Sequence, residues 1–450
     1  MTKGKSLLTR NQPEKAFLVG INFPGSSNNL STQDSLNELS LLAKTAGLIV
    51  VGMEMQNLKV PNPATFIGKG KVEEIKALSE SLHADIVLFD EELSPRNFRE
   101  LEKEFGNKVR VIDRTTLILD IFARHAQTRE GKIQVELAQY EYLLPRLTRA
   151  WTHLVRQAGG GGGRTGSTGG VGLRGPGETQ LEVDRRKIRD KINLLKKDLQ
   201  KVHEHRQRYR MNRKRSRIPV VALVGYTNAG KSTLLNALTS AKVYVADQLF
   251  ATLDPTTRRL EFKDGYAALV TDTVGFIQKL PTGLIASFRA TLEEITEADL
   301  LLHVVDASHP NAINQWESVN HTLTEIGAVH IPIITVLNKL DQIADPESFY
   351  NHYPELMNSL MISALNHTGI DDLIEIMRKE LFETFQKVVV SIPYQNGQLI
   401  SMFHDHGQVD KVEHGDGSVK IHGKLPLSLI SEFERSNIKI SYIKNKTAQE

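Results

Sequence analysis

The sequence predicts a multidomain α/β protein. We expect an N-terminal parallel α/β domain, an antiparallel helical hairpin, a doubly wound α/β domain and a small ferredoxin-like α+β domain. Three observations support this fold class. The chain has 450 residues, too many for one ordinary core. Short β-branched runs alternate with amphipathic segments in two separate stretches, which is typical of parallel α/β folds. Between those stretches, apolar residues recur at helical spacing.

Composition narrows the possible function classes. The chain has no cysteine, which excludes disulfides and thiolate metal sites and suits the cytoplasm. Its net charge is only +3, so any binding of polyanions has to come from local basic patches. The first residues lack the apolar core of a signal peptide, and runs such as LLLHVV are too short to span a bilayer. We therefore expect a cytoplasmic monomer without an integral membrane segment, and peripheral membrane association stays open.

The first predicted domain covers residues 1–130. AFLVGIN, GLIVVGM, ADIVLFD and KVRVID have the composition of buried strands. The amphipathic segments between them predict helices at Leu36–Ala46, Val72–Leu82 and Ser94–Phe105.

Two segments of this domain leave alternatives open. In FIGKGKVEEI, Lys69 and Lys71 either contact a phosphate at the N-terminus of the next helix or are solvated lysines after a glycine turn. Asp113, Arg114 and the run RHAQTRE suit either a second nucleotide site, with ATP as its ligand, or domain packing. We favour packing for the second segment.

The next predicted unit, residues 131–217, is the helical hairpin. We expect its first helix to bend at Pro145, which lacks a backbone donor. The glycine-rich segment AGGGGGRTGSTGGVGLRGPGETQLE would form the tip, with Arg164 and Arg174 on it, and its closing GETQLE would start the second helix. The two apolar stripes consist of Ile133, Leu137, Tyr140, Leu144, Leu147, Trp151 and Leu154, and of Leu181, Ile188, Ile192, Leu195, Leu199 and Val202.

The second helix of the hairpin is strongly basic. Its lysines and arginines outnumber its acidic residues, and it ends in RQRYRMNRKRSR. A basic helix beside a basic glycine tip suits structured RNA, where phosphate contacts and shape dominate recognition. The alternative is a solvated charged helix with a linker. The basic residues are Arg185, Arg186, Lys187, Arg189, Lys191, Lys196, Lys197 and Lys201.

The last predicted domain, residues 387–450, follows a β-α-β-β-α-β order that indicates a ferredoxin-like fold. Its helices are expected at Gly397–Phe403 and Leu425–Phe433. The histidines of this domain have no spacing typical of a metal site, so we expect them to lie at the surface. They are His404, His406, His414 and His422.

Residues 218–386 contain the chemistry of the chain. PVVALVGYTNAGKSTLLNAL joins a hydrophobic strand, a glycine-containing loop and an amphipathic helix, as a phosphate-binding loop does. The loop amides and the helix N-terminus attract phosphate. Lys231 would contact the β- and γ-phosphates, and Ser232 would bind Mg²⁺.

Three further segments, each after a strand or between strands, identify the nucleotide as GTP or GDP. In ALVTDTVGF, Asp272 would hold Mg²⁺ through water, and the Gly275 amide would contact the γ-phosphate. In NKLD, Asp341 can accept hydrogen bonds from both donors on the guanine edge, which adenine cannot supply. In LFATLDPTTR, Thr252 is the candidate switch threonine, which joins Mg²⁺ only when a γ-phosphate is present.

We assign catalytic roles to Lys231, Thr252 and Gly275, and metal binding to Ser232 and Thr252, with Asp272 acting through water. The residues predicted to surround the nucleotide are Gly225, Tyr226, Thr227, Asn228, Ala229, Gly230, Lys231, Ser232, Thr233, Phe250, Ala251, Thr252, Leu253, Asp254, Asp272, Thr273, Val274, Gly275, Asn338, Lys339, Leu340, Asp341, Ser363, Ala364 and Leu365.

Two residues bear on the mechanism of hydrolysis. Phe276 follows Gly275, at the position where Ras-type enzymes carry the glutamine that orients the attacking water. We therefore expect slow intrinsic hydrolysis that depends on a group from a partner. Asn228 either helps to bind K⁺, as in some potassium-activated GTPases, or caps its own loop.

Over nearly its whole length the chain resembles the HflX family, bacterial GTPases of the translation-factor class. The segments that carry the resemblance are ATFIGKGKVEEI, VIDRTTLILDIFARHAQTREGKIQVELAQYEYLLPRL, GPGETQLEVDRR, GYTNAGKS, LFATLDPTTR, DTVGF and NKLD. GPGETQLE directly upstream of a GTPase domain is the most specific of them.

The resemblance implies binding to the large ribosomal subunit, with the hairpin reaching towards the ribosomal RNA of the peptidyl-transferase centre. It also implies that the GTP-bound protein separates stalled or idle ribosomes into subunits. An ATPase or RNA-unwinding activity is attributed to the N-terminal domain of several members. Two other functions stay open: an ATP-driven RNA helicase or chaperone acting through that domain, and a regulatory GTPase that acts on another protein.

Overall fold

The protein is described here by a computed structural model, which contains three β-sheets. The domain boundaries remain predictions, and the third sheet begins at Phe385, just before the boundary predicted at 387. The structure describes residues 13–24, 31–106, 109–146, 180–216, 218–239, 249–250, 254–263, 265–279, 289–382, 385–415, 417–426, 430, 433, 436 and 438–442.

The N-terminal sheet confirms the predicted parallel α/β domain. Its strands are β1 (Lys15–Asn22), β2 (Ile49–Asn57), β3 (Ile86–Phe89) and β4 (Arg110–Asp113). All pairs are parallel in the order β2-β1-β3-β4. The predicted helices are also present: α1 (Thr32–Thr45), α2 (Lys69–Ser81) and α3 (Pro95–Phe105).

A further buried helix, α4 (Arg114–His125), follows β4 directly and was not predicted. Asp113 caps its first turn by accepting a hydrogen bond from the Thr116 amide at 2.9 Å. Nearly every side chain of α4 is buried, including those of the polar residues Arg114, Thr115, Thr116 and Asp120.

Two helices continue from this domain, α5 (Arg129–Leu143) and α6 (Gln180–Ser216). The α-helical geometry of α5 ends before Pro145, in the 3₁₀ turn Leu144–Arg146, and the continuation in which the bend is predicted lies outside the described residues. Buried Ile188, Ile192 and Leu195 of α6 belong to the same core as α5. The glycine-rich segment with Arg164 and Arg174, and the stripe residues Leu147, Trp151 and Leu154, lie outside the described residues.

The second sheet has six strands in the order β10-β9-β8-β5-β7-β6, and only β6 runs antiparallel to its neighbour. Its strands are β5 (Val220–Gly225), β6 (Thr256–Glu261), β7 (Ala267–Asp272), β8 (Leu300–Asp306), β9 (Ile333–Asn338) and β10 (Leu360–Met361). The helices of this region are α7 (Lys231–Thr239), α8 (Arg289–Thr296), α9 (Ala312–Glu325), α10 (Pro346–His352) and α11 (Ile370–Phe382). The strand order reverses at β5, and ligands of such sheets bind at the carboxyl ends of the strands beside that point.

The third sheet is antiparallel, with the order β12-β13-β11-β14 of a ferredoxin-like domain. Its strands are β11 (Phe385–Pro393), β12 (Gln408–Gly415), β13 (Ser418–Pro426) and β14 (Lys439–Tyr442), and α12 (Gly397–His406) covers one face. Most of the second predicted helix lies outside the described residues. Within the described part of the chain, no helix is long and apolar enough to cross a membrane.

Candidate functional site

The phosphate-binding loop connects the end of β5 to the start of α7. Its backbone turns through positive φ angles at Asn228 (63°) and Gly230 (92°). A Cβ atom on Gly230 would lie 2.2 Å from Nδ2 of Asn338, so this position requires glycine for both its φ angle and its surroundings. The loop is therefore closely packed against the end of β9.

Lys231 lies inside this loop with 6 % of its surface exposed. Its Nζ donates to the carbonyl oxygens of Tyr226 at 2.7 Å and Gly225 at 3.1 Å. Burial lowers the pKa of Lys231 to about 8, and the charge of Asp272 opposes part of that shift. The ammonium group is thus held by the loop that is predicted to wrap the phosphates.

Ser232 and Asp272, the two described residues predicted to hold Mg²⁺, lie together. The Ser232 hydroxyl donates to Oδ2 of Asp272 at 2.6 Å. Hydroxyl and carboxylate oxygens are the ligands that Mg²⁺ prefers, and a carboxylate beside a phosphate loop matches its usual surroundings. The donor set therefore fits the metal.

Gly275, in the segment after β7, packs closely against the phosphate loop. A Cβ atom there would lie 2.9 Å from Cα of Thr227 and 3.0 Å from Nζ of Lys231. The two segments are also joined by main-chain hydrogen bonds, from the Thr227 amide to the Phe276 carbonyl at 2.8 Å and from the Phe276 amide to the Gly225 carbonyl at 3.0 Å. A shift of Gly275 would therefore be transmitted to the loop.

The residues predicted to recognise guanine form a second cluster. Asn338 connects the phosphate loop to the segment after β10 by hydrogen bonds. Its Nδ2 donates to the Ala229 carbonyl at 2.9 Å, and its Oδ1 accepts from the Ala364 amide at 3.0 Å. The Ser363 hydroxyl donates to Asp341, whose side chain is exposed. Asn338 thus has a positioning role, whereas Asp341 is accessible to a base.

Lys339 has a left-handed backbone and an ion pair with the end of β8. Its φ angle is 67°, and its ammonium group lies 2.6 Å from Oδ2 of Asp306. The side chain of Leu365 is 69 % exposed.

The segment predicted to contain the switch threonine contacts the N-terminal domain. Ala251, Thr252 and Leu253 lie outside the described residues. On one side of them, the ring of Phe250 packs edge-on against Phe122 of α4 at 4.7 Å. On the other side, Asp254 accepts hydrogen bonds from the amides of Gln127 at 2.7 Å and Thr128 at 2.8 Å, at the start of α5. The side chains of Phe250 and Asp254 therefore contact α4 and α5.

A buried network, which the sequence did not reveal, joins the other switch segment to the same domain. The Tyr226 hydroxyl donates to Glu38 of α1 and accepts from the Gln278 amide at 2.8 Å. Burial and the charge of Glu38 raise the pKa of Tyr226 well above its usual value, so the hydroxyl keeps its proton. Tyr226 thus connects the phosphate loop, the switch segment and α1.

Charged side chains complete this network. Arg114 is buried and pairs with Glu38 and with Asp90, the latter at 2.8 Å. Lys279 pairs with Asp90 and with Glu91, the latter at 2.6 Å. Burial alone would raise the pKa of Asp90, but the charges of Arg114 and Lys279 lower it. Arg114 therefore pairs within the N-terminal domain with two carboxylates, Glu38 and Asp90, which themselves contact Tyr226 and Lys279. Glu38 belongs to no motif that would have identified it.

Among the remaining candidates, Lys71, His414 and His422 make contacts with other side chains, whereas Lys69 and His404 are exposed. Lys71 pairs with Glu54 and Glu74, each at 2.8 Å, and is not directed into a phosphate site. His414 stacks on Tyr394, and His422 lies 3.6 Å from Glu413. Among the residues that the structure describes, no group of three or more histidine or acidic side chains is arranged to hold a metal ion.

Four family models match successive parts of the chain. They are described as GTP-binding GTPase N-terminal (residues 33–123), GTP-binding GTPase Middle Region (125–213), 50S ribosome-binding GTPase (220–339) and HflX C-terminal domain (351–446). The matched ranges include strands of all three sheets, α5 and most of α6, while β1 precedes the first of them.

Characterised relatives match over most of their length. GTPase HflX of Escherichia coli is 43 % identical over 416 residues, which covers 92 % of this chain and 94 % of that protein. GTPase HflX of Caldanaerobacter subterraneus is 43 % identical over 412 residues, covering 92 % and 91 %. A GTP-binding protein of Sulfolobus solfataricus, solved with GDP, is 25 % identical with a TM-score of 0.41 and covers 82 % of this chain and 98 % of that one. By these family models and the two bacterial relatives, the chain belongs to the HflX family of GTP hydrolases.

Proposed function

We propose that this GTPase binds the large ribosomal subunit in its GTP form and splits stalled or idle ribosomes into subunits, with hydrolysis driving its release. The observation that carries this proposal is that both switch segments of the nucleotide site are bonded to the N-terminal domain, through Asp254 on one side and Lys279 on the other. A change at the γ-phosphate would then alter the position of the domain that carries the hairpin. The family model described as 50S ribosome-binding GTPase supports the choice of partner.

In this proposal the phosphates are held by the loop amides and by Lys231. Lys231 would leave the carbonyls of Gly225 and Tyr226 for the β- and γ-phosphates when nucleotide enters. The Gly275 amide would contact the γ-phosphate, and Gly275 packs against Thr227 so closely that this contact would reach the loop. The proximity of these groups makes the site sensitive to whether a third phosphate is present.

The metal would be held by Ser232, by Asp272 through water and, in the GTP form, by Thr252. When bound, Mg²⁺ supplies charge neutralisation at the β- and γ-phosphate oxygens. Guanine would be recognised by the exposed carboxylate of Asp341, which Ser363 orients by hydrogen bonding. Asn338 would keep the base-binding and phosphate-binding loops in register.

Hydrolysis by the isolated protein should be slow. Phe276 is 3 % exposed and packs into the core, so its side chain neither bonds nor orients a water molecule. The group that activates the attacking water would then come from the ribosome-bound state. Stimulation by the ribosome would couple hydrolysis to release.

The proposed RNA contact uses the hairpin. On α6, buried Ile188 faces the protein core, whereas Arg186, Lys187 and Arg189 are exposed. One side of the helix therefore packs and the other carries positive charge, as a surface for rRNA phosphates requires. The glycine tip with Arg164 and Arg174 would reach towards the peptidyl-transferase centre.

The test is sucrose-gradient sedimentation of intact ribosomes with the protein and GTP, a non-hydrolysable analogue, GDP or ATP. We expect co-sedimentation with large subunits, and loss of intact ribosomes, with GTP and its analogue only. Charge reversal at Arg186 and Arg189 should abolish this while GTP binding persists. Equal binding with GDP or without nucleotide would contradict the proposal, and an unaffected charge-reversed protein would favour a regulatory GTPase that acts on another partner.

Hydrolysis assays with the same protein test the roles of K⁺ and ATP. If Asn228 helps to bind K⁺, hydrolysis should be faster in K⁺ than in Na⁺, and Asn228→Ala should remove the difference. ATP hydrolysis that survives Lys231→Ala would place a second site in the N-terminal domain. The pairing of Lys71 with Glu54 and Glu74 argues against such a site at FIGKGK.

A further inference from the structure

The C-terminal sheet has one apolar and one basic face. Val390 and Ile421 are fully buried on the side that packs against Phe403 of α12. Residues that alternate with them point to the other side, because successive side chains of a strand face opposite ways. We call this other side the lysine face and define it by Lys387, Lys411, Lys420 and Lys439, all exposed, with Glu413 and His422 between them.

Strand register arranges the lysine face in rows. In one row, Lys420 and Lys439 lie on either side of Ser391, so their Cα atoms are about 10 Å apart across two strand spacings. In the next row, Lys411 on β12 lies opposite His422 on β13.

The row nearest the GTPase domain has Lys387 opposite Lys424. Lys387 and Lys420 are separated by four positions along the strand direction, or about 13 Å. The face thus presents several positive charges at separations fixed by the strand register.

The stability of the sheet does not explain why these lysines lie on one face. Like charges directly opposite each other on neighbouring strands destabilise a sheet, and Lys387 and Lys424 are such a pair. Lys424 makes a cation–π contact, because its ammonium group lies 3.9 Å from the ring centre of Tyr266 in the GTPase domain. Lys411 is 2.9 Å from Glu413, the acidic residue of the face. Among the described residues that define the lysine face, four lysines accompany one carboxylate, that of Glu413.

We infer that the lysine face binds the phosphate backbone of double-helical RNA. Lysine is a point charge that contacts phosphate without reading sequence, and rigid duplexes are recognised largely by shape and phosphate contacts. A protein partner fits less well, because the centres of protein interfaces are depleted of lysine and enriched in aromatic side chains and arginine. The surface is separate from the hairpin, so it goes beyond the proposed function.

The experiment uses the full-length protein and a fluorescent RNA duplex of roughly 20 base pairs, long enough to exceed one binding face. Binding is followed by anisotropy between about 50 and 200 mM salt. The variant carries Lys387→Gln, Lys420→Gln and Lys439→Gln. The control carries the same substitution at three exposed lysines outside the lysine face and the hairpin: Lys44, Lys59 and Lys263.

In the variant, the plot of log affinity against log salt should become shallower by about 0.9 for each phosphate that the protein no longer neutralises, or nearly 3 in all. Affinity at the lower salt should fall about a hundredfold, and replacement of the same three lysines by arginine should restore it. The control should keep the wild-type slope.

An unchanged slope in a variant with unchanged thermal unfolding would overturn the inference. So would more effective competition by polyglutamate than by unlabelled duplex, which would identify an acidic protein as the partner. Failure of the ribosome-splitting proposal would appear differently, as loss of nucleotide dependence in sedimentation by the wild-type protein.

Discussion

The N-terminal domain and the GTPase domain both contain a lysine after a glycine at the start of a helix, but the two turns have different backbones. In the GTPase domain, Gly230 has a φ angle of 92°, and a Cβ atom there would collide with Asn338. In the N-terminal domain, Gly70 lies within α2, and a Cβ atom there would meet nothing within 4 Å. A phosphate loop needs main-chain amides turned inwards by unusual φ angles, and an ordinary helix start does not supply them.

Lys231 and Lys71 also differ in the groups that hold their ammonium groups. Lys231 is buried and its ammonium group is held by main-chain carbonyls, which an arriving phosphate can replace. Lys71 is held by two carboxylates on β2 and α2. A Gly-Lys pair therefore predicts a phosphate site only when a buried strand precedes the turn and no carboxylate forms an ion pair with the lysine.

The largest effect should separate the two lysines. Lys231→Ala should weaken GTP hydrolysis by about 100-fold or more, because it removes a charge aimed at the transferring phosphoryl group. Lys71→Ala should leave GTP affinity and hydrolysis within about twofold of wild type, since ion pairs near the surface contribute only about 0–1 kcal/mol. Isothermal titration with GTP and a phosphate-release assay measure both. Equal losses in the two variants would show that the N-terminal turn also serves the nucleotide.

Substitution of Gly230 and of Gly70 by alanine tests whether the two turns differ in backbone conformation. Gly230→Ala should lower the free energy of unfolding by at least about 1–2 kcal/mol, because alanine resists a positive φ angle and its Cβ would collide with Asn338. Gly70→Ala should be neutral or stabilise by up to about 1 kcal/mol, since alanine favours a helix and the space is open. Denaturant unfolding of both proteins gives the comparison. A stable Gly230→Ala protein that binds GTP normally would mean that the loop adopts another backbone.

The parts of the site that the sequence predicted are those fixed by local chemistry. The phosphate loop, Asp272, Gly275 and the NKLD segment each follow a strand, so their convergence follows from the rule that carboxyl ends of parallel strands share one edge. Their geometry agrees with the predicted arrangement, while their roles with nucleotide stay predictions.

The contacts between domains were beyond the reach of sequence patterns. Glu38 lies on an ordinary amphipathic helix, and only the packing of α1 against the GTPase domain brings it to Tyr226. Asp254 was predicted from its position near Thr252 to surround the nucleotide. Its side chain instead accepts hydrogen bonds from the main-chain amides of Gln127 and Thr128, just before α5. Helix α4, which was not predicted, buries polar residues such as Arg114 and Asp120, and Arg114 pairs with Glu38 and Asp90 from other elements. These features depend on tertiary contacts between residues far apart in the chain.

The smallest expected effect concerns the protonation of Lys231, and it sharpens the contrast with Lys71. Burial lowers the pKa of Lys231 to about 8 in the nucleotide-free protein, so the side chain is charged below that pH and increasingly neutral above it. Phosphate favours the charged form, so binding above pH 8 requires uptake of a proton. GTP affinity should therefore be level below about pH 8 and fall by up to about tenfold per pH unit above it.

Titrations of GTP between about pH 7 and 9 measure this slope. Lys231→Arg, whose side chain stays charged throughout, should give a level profile even if its affinity is lower. Lys71→Ala should keep the wild-type slope: burial alone would lower the pKa of Lys71, but its carboxylate partners raise it above its usual value. If the profile of Lys231→Arg falls as steeply as that of the wild type, the slope arises from a group other than Lys231, and burial does not control the charge of the phosphate loop in this pH range.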